Sequence, residues 1–184
     1  EKLNYKVLTA KKFYPNQLDE QILLKKKSKF ITLRKRVEIV EFAIKKNYNL
    51  VIFDDGLQDK QINYDLKFVC FDIDNWIGNG CLIPSGPLRE KIESLKRFDA
   101  MFLKITNDTS NLNEICTFVK NINPKMEIFQ TNIVINNIDK FDKKNKYLIF
   151  SGIGNSESFR KKLCEKNIDI VEELIFPDHY DYTR

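Results

Sequence analysis

Short runs of consecutive apolar residues recur along the chain, at Phe30–Leu33, Leu50–Phe53, Phe68–Phe71, Ala100–Leu103 and Tyr147–Phe150. Apolar residues in succession, not in alternation, predict strands buried on both faces of a parallel sheet. Between the first two runs lies R-K-R-V-E-I-V-E-F-A-I-K-K, with Val37, Val40, Ala43 and Ile44 at helical spacing. That spacing predicts a helix turning these four residues inward. A second helix is expected from Asn111, whose side chain would cap it while Glu114 reaches back. A third starts near Ser156 and carries Phe159 and Leu163 on one face. Strand and helix in repetition predict an α/β sandwich.

The pattern loosens between Pro124 and Asp142. Met126–Ile135 reads as one extended segment, followed by the charged D-K-F-D-K-K-N-K, and a new apolar strand opens at Tyr147. A hinge is therefore expected over 125–145, separating a first domain, 1–124, from the start of a second, 146–184. No internal repeat is visible.

Composition narrows the class. The 184 residues are 42% hydrophobic and 31% charged, as in a globular protein and unlike a disordered one. Net charge is +5 and pI about 8.9, but the basic runs Lys25–Lys27 and Lys143–Lys144 lack interleaved aromatics or glycines. They read as solvated faces, and no nucleic-acid partner is expected. Cys70, Cys81, Cys116 and Cys164 form no C-x-x-C pair, so neither a zinc knuckle nor a redox motif is indicated, and a reducing compartment is the default. Cys70, inside F-V-C-F, is expected in the core. No apolar run reaches membrane-spanning length and no signal peptide opens the chain. Beginning at Glu1 and stopping at Arg184, the chain reads as an interior piece of something longer.

Three segments carry chemistry. In N-L-V-I-F-D-D-G-L-Q, an apolar strand ends in Asp54 and Asp55. Ligands of open α/β sheets gather at the carboxyl ends of strands, where an Asp often holds Mg²⁺; Asp-Asp-Gly is equally an ordinary turn. In G-N-G-C-L-I-P-S-G-P-L-R-E, Gly78 to Glu90, three glycines and two prolines shape a loop that delivers Arg89 beside Glu90. An arginine so held suits a phosphate clamp, and a surface ion pair is the competing reading. F-P-D-H-Y-D-Y-T, Phe176 to Thr183, holds His179, the single histidine, after a strand and between Asp178 and Asp181.

Together with F-S-G-I-G-N, Phe150–Asn155, these segments resemble the tetraacyldisaccharide 4′-kinase family, in the family's order and over nearly the whole chain. The resemblance implies a P-loop-kinase-like α/β/α sandwich, incomplete here, followed by part of a smaller α/β domain joined by a β linker. It implies transfer of the γ-phosphoryl of ATP, with Mg²⁺, to the 4′-hydroxyl of an acylated glucosamine disaccharide 1-phosphate, the step that forms lipid IVA. It also implies work at a membrane surface, the cytoplasmic face of the bacterial inner membrane. Asp19 matches the family's catalytic aspartate and His179 its partner; Glu20 and Asp54 match positions near the metal. Asp55 matches the second residue of the Walker-B-like pair, and Arg89 and Glu90 the active-site pair. The substrate-contacting base falls at Arg36, or at Lys35 with a one-residue slip.

The chain also departs from the family. Asp59 stands where the family usually has histidine, Leu18 where glycine is usual, Ser85 for alanine and Lys91 for proline. No G-x-x-x-x-G-K-[ST] loop occurs anywhere in the sequence. A degenerate binding module that kept the fold is thus one alternative, and another magnesium-dependent nucleotide enzyme a second. An upstream glycine-rich loop in the coding sequence would decide for the kinase, and a start codon just before Glu1 for the binding module. Lacking that phosphate cradle, these 184 residues alone are predicted not to phosphorylate anything. Radiolabel transfer from ATP to the disaccharide is the measurement, and clear turnover by the chain alone would refute the expectation.

Overall fold

The structure is a computed structural model that describes residues 4–15, 18–106, 108–178 and 180, with the side chains of Leu18 and Asp19 outside that set. It is a mixed α/β protein whose strands all pair in parallel. Its elements in chain order are β1 (Val7–Lys12), α1 (Leu18–Lys27), β2 (Phe30–Leu33), α2 (Arg36–Lys45), β3 (Leu50–Asp54), β4 (Phe68–Asp72), β5 (Ala100–Lys104), α3 (Leu112–Ile122), β6 (Glu127–Thr131), β7 (Lys146–Ser151), α4 (Ser156–Cys164) and β8 (Asp169–Ile175). The strands form sheets ordered β2-β1-β3, β4-β5-β6 and β7-β8. Two compact units contain them: Glu1–Ile62 with Ile135–Arg184, and Asn63–Val134.

All five expected strands are present, most extended by one residue at an end. β1 and α1 are additions that the apolar runs did not announce. In β1 only Val7 to Ala10 lacks charge, and Lys11 and Lys12 close the strand. Its central position between β2 and β3 makes it the spine of the first sheet, with Ala10 opposite Ile31 and Phe53. One face of that sheet packs on α2, where Leu8, Ala10, Ile39 and Ala43 form a fully buried cluster bordered by Ile31, Leu33, Val51 and Phe53.

α2 forms where predicted but turns a different face inward. Arg36, Ile39 and Ala43 are buried, whereas Val37 and Ile44 are exposed. A purely apolar reading misses the reason: the Arg36 guanidinium is drawn inward by oxygen partners, which rotates the buried stripe toward it. The expected burial of strands on both faces is likewise corrected. β3 and β4 alternate, with Leu50, Ile52, Phe68 and Cys70 exposed and Val51, Phe53 and Val69 half-buried. Successive strand residues point to opposite faces, and among the described residues a helix covers one face of the first sheet. Cys70 lies on the exposed side of β4, in the second sheet, and is a surface residue and not a core one.

In the second unit, Met101 and Leu103 of β5 are fully buried, as are Leu95, Val119 and Met126. Phe71 of β4 packs on Trp76, and Trp76 on Phe118 of α3. The Asn123 amide at the end of α3 donates to the Leu95 and Phe98 carbonyls at 3.0 and 2.9 Å, tying the helix to a 3₁₀ turn over Ile92–Arg97. The capping box expected at Asn111 does not form. Asn111 sits at φ −89°, ψ 0°, a turn conformation and not the extended one a capping residue adopts. The extended segment expected over Met126–Ile135 is strand only over Glu127–Thr131.

β7, α4 and β8 make one βαβ unit, the crossover that a parallel pair requires. Asn155 caps α4, its Oδ1 accepting the Ser158 N–H at 2.9 Å.

Burial sets the expected cost of truncation. Leu103→Ala, at a fully buried site, should cost about 2–5 kcal/mol. Leu148→Ala, at a 49% exposed one, should stay within about 0.5 kcal/mol. Urea unfolding of the two variants beside the parent measures both.

Candidate active site

β1, β2 and β3 run in parallel, so their carboxyl ends lie along one edge of the sheet. At that edge Lys11 pairs in register with Asp54. The Lys11 ammonium is 3.0 Å from Asp54 Oδ2 and also hydrogen bonds Glu20 Oε2 on α1. Its side chain is 6% exposed against 47% for Asp54 and 39% for Glu20, so the cation lies beneath the two carboxylates. Burial by itself lowers the lysine pKa, but hydrogen bonds and charge from Glu20 and Asp54 outweigh it and raise the group above the usual 10.5. This charged form contributes stability fully below that value and loses it only as pH rises through the higher folded one.

Beyond Asp54 the chain turns. Asp55 adopts φ +54°, a left-handed conformation that aspartate tolerates better than most residues. The Arg36 Nη2 donates to the Asp55 carbonyl at 2.6 Å, and Nη1 lies 3.3 Å from Asp59 Oδ2. The Asp59 N–H closes the turn onto the Gly56 carbonyl at 3.1 Å. Asp-Asp-Gly is therefore a turn, with Asp54 as the last residue of β3. Arg36, expected to contact substrate, has its guanidinium buried and engaged on this turn, while the neighbouring Lys35 is exposed at the start of α2. Asp59 is the carboxylate paired with Arg36.

In the second unit the loop Gly78 to Glu90 is tightly tied. Gly78 and Gly80 have φ +57° and +73°. A Cβ on Gly86 would lie 2.2 Å from Asn79 Oδ1 and 2.4 Å from the Cys81 carbonyl, which only glycine permits. The Asn79 amide donates to the Ser85 carbonyl at 2.7 Å, and the Ile83 N–H to the Leu88 carbonyl at 2.9 Å. The loop presents Arg89 at the surface and ion-pairs Glu90 with Arg97. Asp72 and Lys104, at the ends of β4 and β5, form a further pair at 2.6 Å. His179 and the side chain of Asp19 lie outside the described residues.

The family model for tetraacyldisaccharide-1-P 4′-kinase matches residues 4–184 of this chain. The chain belongs to that family. A tetraacyldisaccharide 4′-kinase of Pelagibacter ubique is 45% identical over 184 residues, all of this chain and 58% of the relative. One from Rickettsia canadensis is 36% identical over 168 residues, 90% of this chain and 49% of the relative. The chain thus spans about half the length of these kinases. Among solved structures, LpxK of Aquifex aeolicus in complex with ATP matches 99% of this chain and 66% of that one, with a TM-score of 0.68 at 22% identity. That likeness is one of fold, and it agrees with the incomplete P-loop-kinase-like α/β architecture the sequence predicts.

Lys11, the buried partner of Asp54 and Glu20, is the residue at this edge that sequence reasoning missed. Its signal was faint: a lysine following V-L-T-A in a strand reads as a solvated end.

Asp59 sets a pH test. The Gln61 N–H, donating at 3.0 Å, is the largest influence holding its carboxyl below the usual 3.8; burial opposes it, and Arg36 and Lys12 reinforce it. A carboxylate with a depressed folded pKa contributes stability above its unfolded value and loses it as pH falls through the folded one. Asp59→Asn should therefore be less stable than the parent by a constant amount near neutrality, and the difference should close below pH 3.8. Denaturant titrations across the acid range would show it.

Proposed function

We propose that the complete protein transfers the γ-phosphoryl of ATP to the 4′-hydroxyl of a tetraacylated glucosamine disaccharide 1-phosphate, forming lipid IVA. The observation that carries this reading is that Asp54, at the carboxyl edge of a parallel sheet, and Glu20 of α1 share the Lys11 ammonium, in a chain of the tetraacyldisaccharide 4′-kinase family. Ligands of such sheets bind at that edge. Phosphoryl transfer asks the protein for alignment and charge neutralisation more than covalent chemistry.

Magnesium suits the donor set. Mg²⁺ is usually held by one or two carboxylates together with substrate phosphates and water. Asp54 and Glu20 supply two carboxylates, and among the described residues no group of three or more His, Cys, Asp or Glu converges as a cage would require. When bound, the ion would neutralise charge on the phosphate oxygens being separated.

The chain's own residues take the remaining roles. Arg36 holds the Asp55 turn from behind, so that Asp54 leaves β3 in a set direction, and exposed Lys35 beside it is the base facing substrate. Arg89 meets phosphate oxygens, and Glu90 is held by Arg97. Asp19 and His179 act on the acceptor hydroxyl, which is a poor nucleophile near neutrality, by polarising it and accepting its proton. The acylated substrate places this work at a membrane surface, the cytoplasmic face of the inner membrane.

In the complete protein, Asp19→Ala or His179→Ala should lower kcat by about 10²–10⁴-fold with little change in substrate affinity, the signature of a lost proton acceptor. Asp54→Asn should lower turnover steeply as well. The assay is radiolabel transfer from ATP to the disaccharide. Weakened lipid binding with turnover intact would contradict the acid–base assignment.

A further inference from the structure

Lys11 stands in β1 opposite Asp54 on β3 and Thr32 on β2. It is 5% exposed, one of four buried polar or charged residues among those described, beside Gln21, Arg36 and Ser151. An ammonium has three donors and no acceptor. Two of Lys11's partners are carboxylates from different elements, Glu20 on α1 and Asp54 on β3. Both carboxylates are partly open to solvent, and the ammonium is not.

Lys11 engages one oxygen of each carboxylate, Asp54 Oδ2 and Glu20 Oε2, so a divalent cation arriving at Asp54 and Glu20 would meet an ammonium beside it. A buried ammonium is a compact point charge that cannot leave its seat cheaply, and it repels a metal approaching the same carboxylates. Its single positive charge also leaves the two carboxylates with one net negative charge in place of two. Attraction for a free divalent ion falls in proportion. Phosphate oxygens arriving with the ion would restore the missing negative charge.

We infer that Lys11 is the positioning residue of the metal-facing carboxylates: it holds Asp54 and Glu20 together without metal and keeps free divalent cations out. The ion then enters only as its nucleotide complex. This rests on the reading of Asp54 and Glu20 as metal-facing. It adds that a residue outside the nucleotide-binding motifs sets the order in which metal and nucleotide arrive.

The test uses the 184-residue chain with Mn²⁺ alone, followed by electron paramagnetic resonance of the free ion, with no nucleotide or lipid present. Lys11→Met and Lys11→Gln should bind Mn²⁺ at least about tenfold more tightly than the parent. The gain should vanish when Asp54→Asn is added, and Lys11→Arg should keep the parent's exclusion. Lys11→Gln retains a hydrogen-bond donor and so covers the case in which Lys11→Met fails to fold. In the parent itself, the Lys11 ammonium resonance should stay unmoved on titration with millimolar Mg²⁺. Equal Mn²⁺ affinity in the parent and the neutral variants would overturn the inference. So would a gain that survives Asp54→Asn, or displacement of the parent's ammonium resonance by free Mg²⁺. None of these outcomes depends on phosphoryl transfer, so loss of the kinase reading would be seen separately, as unimpaired turnover in Asp54→Asn.

Discussion

Two buried cations govern the first unit. Lys11 lies beneath the carboxylates of Asp54 and Glu20, and Arg36 lies behind the turn that follows. Adjacent carboxylates at a strand exit repel one another, and a protein that keeps them must place positive charge nearby or neutralise one of them. Here the charge is supplied from below by β1 and from the side by α2. Both cations come from elements that neighbour β3 in space. The direction in which Asp54 leaves the sheet is therefore set by the packing of the whole sheet, not by the Asp-Asp-Gly turn alone.

Arg36 shows how one ion pair bears on the elements around it. The residue after Gln58 is an aspartate, and it receives a guanidinium. A carboxylate at this point needs a partner, and Arg36, at the first turn of α2, has the reach to provide it. Once Arg36 is committed to Asp59 and the Asp55 carbonyl, the helix must rotate its buried stripe toward the arginine. Exposed Val37 and Ile44 are the visible consequence.

The loop from Gly78 to Glu90 works by a different principle. Its shape comes from backbone hydrogen bonds, the Asn79 amide on the Ser85 carbonyl, two left-handed glycines and a glycine with no room for a side chain. Such a loop has little conformational freedom left to lose, so whatever Arg89 meets costs less entropy to hold. The Glu90–Arg97 pair anchors its far end to the 3₁₀ turn that Asn123 also secures.

Much of this was legible in the amino-acid order. The five apolar runs located their strands to within a residue or so, and the helix expected from near Ser156 is α4, because strand and helix formation depend on neighbours within one turn or one pleat. Asp54, Asp55, Arg89 and Glu90 were singled out for the same reason, as short motifs with their own local chemistry. Tertiary structure decided which face of α2 is buried, that Cys70 lies at the surface, and that Lys11 is the partner of Asp54. Those outcomes rest on strand register and on charges meeting across distant segments. A one-residue slip of β1 against β3 would carry Lys11 to the opposite face, and no local pattern in K-V-L-T-A-K-K records which register wins.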